Sequence, residues 1–281
     1  MIDFLLSHEA PVRLGAFFGV LAVMVLWEVL APRRRLSHPR TRRWPSNLAI
    51  VALNTLIVRL VFPLAPVAFA AWAAAKGWGV FSLLDWPWWL ELALAAAFLD
   101  LVIYLQHVMV HAVPLLWRLH RMHHTDLDYD VTTGARFHPI EIALSMVIKF
   151  AAIALIGAAP AAVLVFEVVL NASSMFNHGN VRLPAALDGV LRLLVVTPDM
   201  HRVHHSVIPA ETNSNFGFSL SWWDRLFGTY RAQPAAGHEG MTIGIEAFRT
   251  PEDLRLDLLL VQPFLTDEAA QRATYAINRD Q

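Results

Sequence analysis

DLVIYLQHVMVH, residues 100–111, is mostly apolar, yet it sets His107 and His111 four positions apart. On a helix that spacing puts both imidazoles on one face, and Asp100 and Tyr104 continue the stripe at spacings of four and three. The stretch ends an apolar run over roughly residues 86–106 that opens on Trp86, Trp88 and Trp89, an aromatic group of the kind found at a membrane interface. A spanning helix needs about 20 largely apolar residues. The run is therefore read as a membrane crossing that ends on two imidazoles.

The rest of the chain agrees. Of its 281 residues, 56% are hydrophobic and only 16% charged, and the mean hydropathy is +0.46; soluble domains carry about 25% charge. Residues 12–31 form an apolar run with Arg13 at its edge and Glu28 as its acid. Residues 47–75 form another, interrupted by Arg59, Pro63 and Pro66. Residues 140–176 carry Gly157 and Pro160 near the middle and read as a helical hairpin, spanning or re-entrant. Lys149 and Glu167 fall at similar depth on its two arms, where unpaired charge is costly, so an ion pair is expected. The predicted fold is all-α: an integral membrane helical bundle of four to five segments, the last a hairpin, with a cytoplasmic helical cap carrying the histidines. Residues 1–230 would form this unit. Residues 231–281 turn polar and would pack over it as part of the same domain, with Thr250-Pro251-Glu252-Asp253 starting a helix. The N-terminus lacks the basic start and small-residue cleavage site of a secretory signal, so the first run is expected to stay.

Six arginines between Arg33 and Arg43 mark segment 32–46 as cytoplasmic. Counting crossings from there brings every histidine from 107 to 205 to the cytoplasmic face, in what is expected to be a multi-pass protein of the inner (plasma) membrane. The net charge of −1 gives no reason to expect nucleic acid. Cysteine is absent, which excludes disulfides, thiolate ligands and a cysteine nucleophile, so any metal must be held by nitrogen or oxygen.

WRLHRMHHTD, residues 117–126, places His120, His123 and His124 at offsets of zero, three and four, and His201, His204 and His205 repeat that spacing. With His107 and His111 these boxes hold eight of the thirteen histidines. His138 in RFHPIE and His178 in FNHGN sit in polar breaks between apolar runs, whereas His8, His38 and His238 read as surface residues. A lone histidine in such a chain is as well explained by packing, but three boxes meeting at one membrane face point to metal. Eight to ten imidazoles exceed what one ion uses, so two metals are expected; zinc, iron, copper and nickel all accept imidazole. Asp100 and Asp224 are candidates to orient ligand histidines through the second ring nitrogen. Trp222 and Trp223 read first as core.

The order of these boxes resembles the fatty acid hydroxylase/sterol desaturase superfamily of membrane di-iron enzymes. Asp100 and Tyr104 before the first box, Arg136-Phe137-His138-Pro139 with Glu141, and Phe176-Asn177-His178 are similar to its motifs. So are Asn215-Phe216-Gly217 and the closing Trp223-Asp224-Arg225-Leu226-Phe227-Gly228-Thr229-Tyr230; Val108 stands where many members have arginine. The resemblance covers residues 100–230. It implies an O2-dependent oxidoreductase with two iron ions (zinc in some purified samples) on His107, His111, His120, His123, His124, His201, His204 and His205, joined by His138 and His178. It further implies a lipid substrate from the bilayer (sterol-like, hopanoid, fatty acyl or carotenoid), hydroxylation or desaturation, and an external electron donor.

Two rival classes stay open on the sequence. A membrane metal transporter would place its ligands at the bilayer midplane, within the spans, while these lie at span ends. A non-catalytic metal-binding membrane protein would keep the ligands without the chemistry. No nucleophile elbow, His-Glu-x-x-His or glycine-rich phosphate loop occurs.

Overall fold

The computed structural model describes residues 2–85 and 87–266. Among these the structure is helical, with only three isolated β-bridges. A short α1 (Ile2–Ser7) leads into α2 (Glu9–Leu30), followed by α3 (Arg40–Val61), α4 (Pro66–Ala75) and α5 (Trp88–Ala112). Next come α6 (Pro114–His124), α7 (Pro139–Ile156), α8 (Pro160–Asn177), α9 (Ala185–Leu191) and α10 (Pro198–His204). The C-terminal part adds α11 (Pro209–Thr212), α12 (Trp222–Leu226), α13 (Gly237–Gly240) and α14 (Leu256–Val261).

Five helical stretches are long and apolar enough to cross a membrane: α2, residues 40–83, α5, α7 and α8. The chain is a multi-pass helical membrane protein. Leu99, Ile103, Ile153, Val163 and Phe166, from α5 and the α7–α8 pair, form its main apolar core. Proline opens α6, α7, α8 and α10, where its missing N–H loses nothing. The expected hairpin turns at Gly157, whose φ of 70° is the left-handed helix cap glycine favours. Its tip meets Gly79, and a β-carbon on Gly79 would lie 1.9 Å from the Gly157 nitrogen, so the two backbones touch with no room for a side chain.

The second apolar run is not one straight span. Phe62–Ala65 separates α3 from α4, because Pro63 and Pro66 cannot continue the helix. The lower half of α3 is a polar support: Arg43, Asn47, Ile50 and Asn54, at helical spacing, are its buried face. Arg43 bonds Asp126 and Asp130, Asn47 bonds Thr132, and Asn54 donates to the Phe137 carbonyl. Part of the basic segment 32–46 is thus buried structure.

The Lys149–Glu167 pair is present at 2.7 Å, and Arg13 joins it as a second cation on Glu167, drawn in from the edge where the sequence had placed it. Glu28, also buried, accepts from the Val131 and Asn180 amides. Trp88 and Trp89 are exposed at the far end of α5, while Trp86 lies outside the described residues. Of the C-terminal segment, residues 231–266 are described. The Thr250 hydroxyl and Asp253 form a capping box around a single 3-10 turn, Pro251–Leu254. Beyond it, α14 and the following turn pack on α6 through Arg121, which bonds the Gln262 and Leu265 carbonyls.

Candidate metal centre

The helical angle between neighbours decides how the boxes are used. At about 100° per residue, i and i+4 differ by roughly 40° while i+3 lies on the other side of i. Accordingly His120 and His124 face one way from α6 and His123 the other; at α10, His201 and His205 share a side and His204 departs. The boxes therefore interlock. His107, His111, His120, His124 and His204 form one group and His123, His178, His201 and His205 a second, each with ligand nitrogens within 4.8 Å of one another. The groups adjoin: the rings of His124 and His205 stack at 4.6 Å. All nine side chains are buried.

In the first group four of the five Nδ1 atoms have protein partners. His107 bonds the Phe216 carbonyl at 2.7 Å, His111 the Asn213 side-chain oxygen at 3.1 Å, His120 the Glu141 carboxylate at 2.7 Å and His204 the Ser214 carbonyl at 2.8 Å. Their Nε2 atoms are buried without a hydrogen-bond partner, as are both nitrogens of His124. In the second group His178 Nδ1 bonds the Ser174 carbonyl, and its Nε2 faces Nε2 of His123 and of His201, each at 3.2 Å. His205 has neither nitrogen satisfied. Buried polar atoms normally find partners; so many orphaned acceptors converging on two points fit two metal ions.

The electrostatics agree. Burial first, then the neighbouring imidazoles, pushes His123, His124, His201 and His205 well below the usual histidine range. Burial takes His178 and His204 down to about 3. These rings are neutral at pH 7, the form that offers a lone pair.

His138 is not brought to either group. Its Nδ1 caps α7 by accepting from the Ile140 amide, and its Nε2 lies 3.2 Å from the Leu260 carbonyl. It works as a helix-start residue. Asp100 and Asp224 touch no ring nitrogen. Asp224 accepts from the Phe216 and Gly217 amides and the Thr229 hydroxyl, so it holds the segment whose carbonyl receives His107. Asp100 accepts from the Trp223 indole and the Leu220 amide. Trp223 is half-buried and Trp222 is 47% exposed, so Trp222 is not core. His238, read as a surface residue, is buried beside Asp199.

The carboxylate that orients a ring is Glu141, in the first turn of α7, which the sequence shows only as part of a motif. Asp126, Asp128 and Asp130, directly after a histidine box, were also passed over. Three acids alternating in so apolar a chain was the available signal. Burial pushes the Asp126 carboxyl up, but Arg43 and Arg136 outweigh it and hold it well below the carboxylate range.

Fold and site together define a multi-pass helical membrane protein with two adjoining groups of buried histidines that could hold metal. Residues 92–229 match the fatty acid hydroxylase family. An ornithine lipid hydroxylase of Rhizobium tropici is 29% identical over 224 residues, covering 78% of this chain and 66% of that protein. Alkylglycerol monooxygenases of Xenopus tropicalis and Homo sapiens are 31% and 30% identical, over 58% and 61% of this chain. The chain spans only 34% and 38% of their lengths. No solved structure matches. Over residues 92–229, just under half of its length, the chain is thus similar to the fatty acid hydroxylase family.

Proposed function

We propose that this protein is an oxygen-dependent oxidoreductase that attacks an unactivated C–H bond of a membrane lipid at a pair of iron ions. The observation that carries the reading is the set of nine buried histidines whose ring nitrogens gather in groups of five and four, eight of the rings with at least one nitrogen lacking a hydrogen-bond partner. Iron bound there would supply the activation of O2 and the removal of hydrogen, steps no side chain performs alone. The chain's own task is to orient the rings, through Glu141, Asn213 and the Phe216, Ser214 and Ser174 carbonyls, and to exclude water. The relatives' names favour hydroxylation over desaturation and a lipid as substrate. Electrons must come from an external donor. The arginine-rich segment supports a cytoplasmic placement of the histidine face in the inner (plasma) membrane. Ligands gathered where the spans end weigh against a transporter.

Elemental analysis of membrane-purified protein tests this directly. Two irons per chain are expected. His123→Ala is expected to lose metal from the second group and all turnover of lipid; full loading with full activity in that variant would exclude the assignment. Zinc alone, with no oxidation after reconstitution with iron, would favour a non-catalytic metal protein.

A further inference from the structure

Apart from the five spans, the histidine side of the molecule carries a second apolar surface. Leu187, Val190, Leu193 and Leu194 point outward from α9 and the turn after it, and Trp222, Leu226 and Phe227 do the same from α12 and the residue after it. Their exposures run from 46% to 69%. The backbone carbonyls that follow α9 are satisfied internally. The Arg192 carbonyl accepts from the Ser221 hydroxyl and from Arg225, the Leu193 carbonyl from the Trp222 indole, and the Leu194 carbonyl from the Ser221 amide. In water such helix-end carbonyls need no side-chain partner; in hydrocarbon they must have one. The surface is also continuous with the membrane helices: Trp223 and Leu220 bond Asp100 of α5, Asn177 at the end of α8 donates to the Phe218 carbonyl, and Phe227 stacks on Tyr104. A broad apolar patch of this kind, flanking the spans, fits a bilayer.

The inner face of α9 is polar and borders a cavity of about 570 Å³, separate from the histidine nest. Arg33, Arg182 and Arg192 line it with Asp188 and Asp199. Each acid is already matched, Asp188 by Arg192 and Asp199 by Arg33 and Arg202. Arg182 has no hydrogen bond or ion pair among the described residues. His238 also lines the cavity; its side chain is 3% exposed and neither ring nitrogen has a hydrogen-bond partner. Arg33 stands three residues past the end of α2, so the cavity opens where the spans leave the apolar layer.

We propose that α9 and α12 lie in the leaflet on the histidine side and that this cavity binds the anionic headgroup of a lipid in that leaflet, with Arg182 as the uncommitted cation. The proposal rests on the membrane placement of the helices and not on the reaction; it holds whether or not the bound lipid is the one oxidised.

Because the chain lacks cysteine, a single one can be introduced and spin-labelled at will. Labels at Leu187→Cys and Leu226→Cys in bilayers should collide with oxygen and not with a nickel chelate. They should match Leu155→Cys, on the exposed face of α7, and differ from Glu252→Cys on the C-terminal segment. Labels as open to nickel as the one at 252 would overturn the placement. Native mass spectrometry with phosphatidylglycerol and phosphatidylcholine reads the cavity. The intact protein should retain phosphatidylglycerol preferentially, Arg182→Gln should lose that preference by about fivefold or more, and Arg182→Lys should keep most of it. Unchanged preference in Arg182→Gln, or displacement of the lipid by millimolar inorganic phosphate, would overturn the headgroup site. Metal content and turnover measured on the same samples keep a failure of the catalytic reading distinct.

Discussion

Glu141 and His120 show how much of the centre depends on one hydrogen bond. Their 2.7 Å contact fixes which ring nitrogen is left to face a metal and keeps the imidazole from turning. Glu141→Gln should weaken metal binding by about 10- to 100-fold while leaving the helices intact. Competition with a chelator measures the first and circular dichroism the second; unchanged affinity would remove Glu141 from the orienting role. Arg43 is the corresponding structural residue. It and its partners Asp126 and Asp130 are fully buried, so Arg43→Met leaves two carboxylates short of their main counter-charge. A loss of about 3–5 kcal/mol is expected, read as a lowered Tm in detergent. At this scale the histidines were legible because imidazole spacing is written in the sequence. Their partners at Phe216, Ser214 and Ser174 are backbone carbonyls, which no side-chain pattern announces. His138 was misread for a related reason: a histidine before proline and a helix is both a ligand-like motif and a helix cap, and only the fold separates the two.

Among the elements, the α7–α8 hairpin was the easiest to foresee. Glycine and proline marked its turn, and two opposite charges at matching depth marked how its arms pair. The third member, Arg13, was hidden because it comes from α2, and only packing brings that helix alongside α8. Its presence changes the expected result of removing the lysine. Lys149→Met leaves Glu167 with Arg13, so the loss should be about 1–2 kcal/mol, below the full value for a broken buried pair. Arg13→Met added to Lys149→Met should cost more than the sum of the single changes, since the acid is then stranded. A strictly additive double variant, measured by thermal unfolding in detergent, would count against a shared network. By contrast, the break between α3 and α4 and the buried polar face of Arg43, Asn47 and Asn54 were blurred by hydropathy, which averages over helix faces.

The molecule as a whole should be sensitive to acid, and the sign follows from the histidines. An unfolded histidine titrates at about 6.5, whereas His178 and His204 in the fold are pushed down to about 3 by burial. Between those values the unfolded chain binds protons that the folded one refuses. The stability they contribute is full above about pH 6.5 and falls as the pH drops toward 3. Metal-free protein should therefore lose Tm steadily from pH 7 to pH 5, and loaded protein should release metal over the same span. A flat profile would mean that these rings are not the neutral, dry groups the structure shows. The all-helical architecture and the gathering of the histidines at one end of the spans were readable from apolar runs and counting. The α9–α12 surface was not, because its apolar residues come in short clusters far below the length of a span.

The meeting of Gly79 with Gly157 has a reach its size does not suggest. The arm of α8 between that turn and His178 is about 27 Å long by helical rise, and a helix transmits a push along its axis as a rod does. A methyl group at residue 79 would act as a shim under the far end of that rod, moving His178 relative to its three partners without altering a single donor. Gly79→Ala should then loosen the grip on metal in the four-histidine group and spare the five-histidine one, a defect set from the other end of the helix.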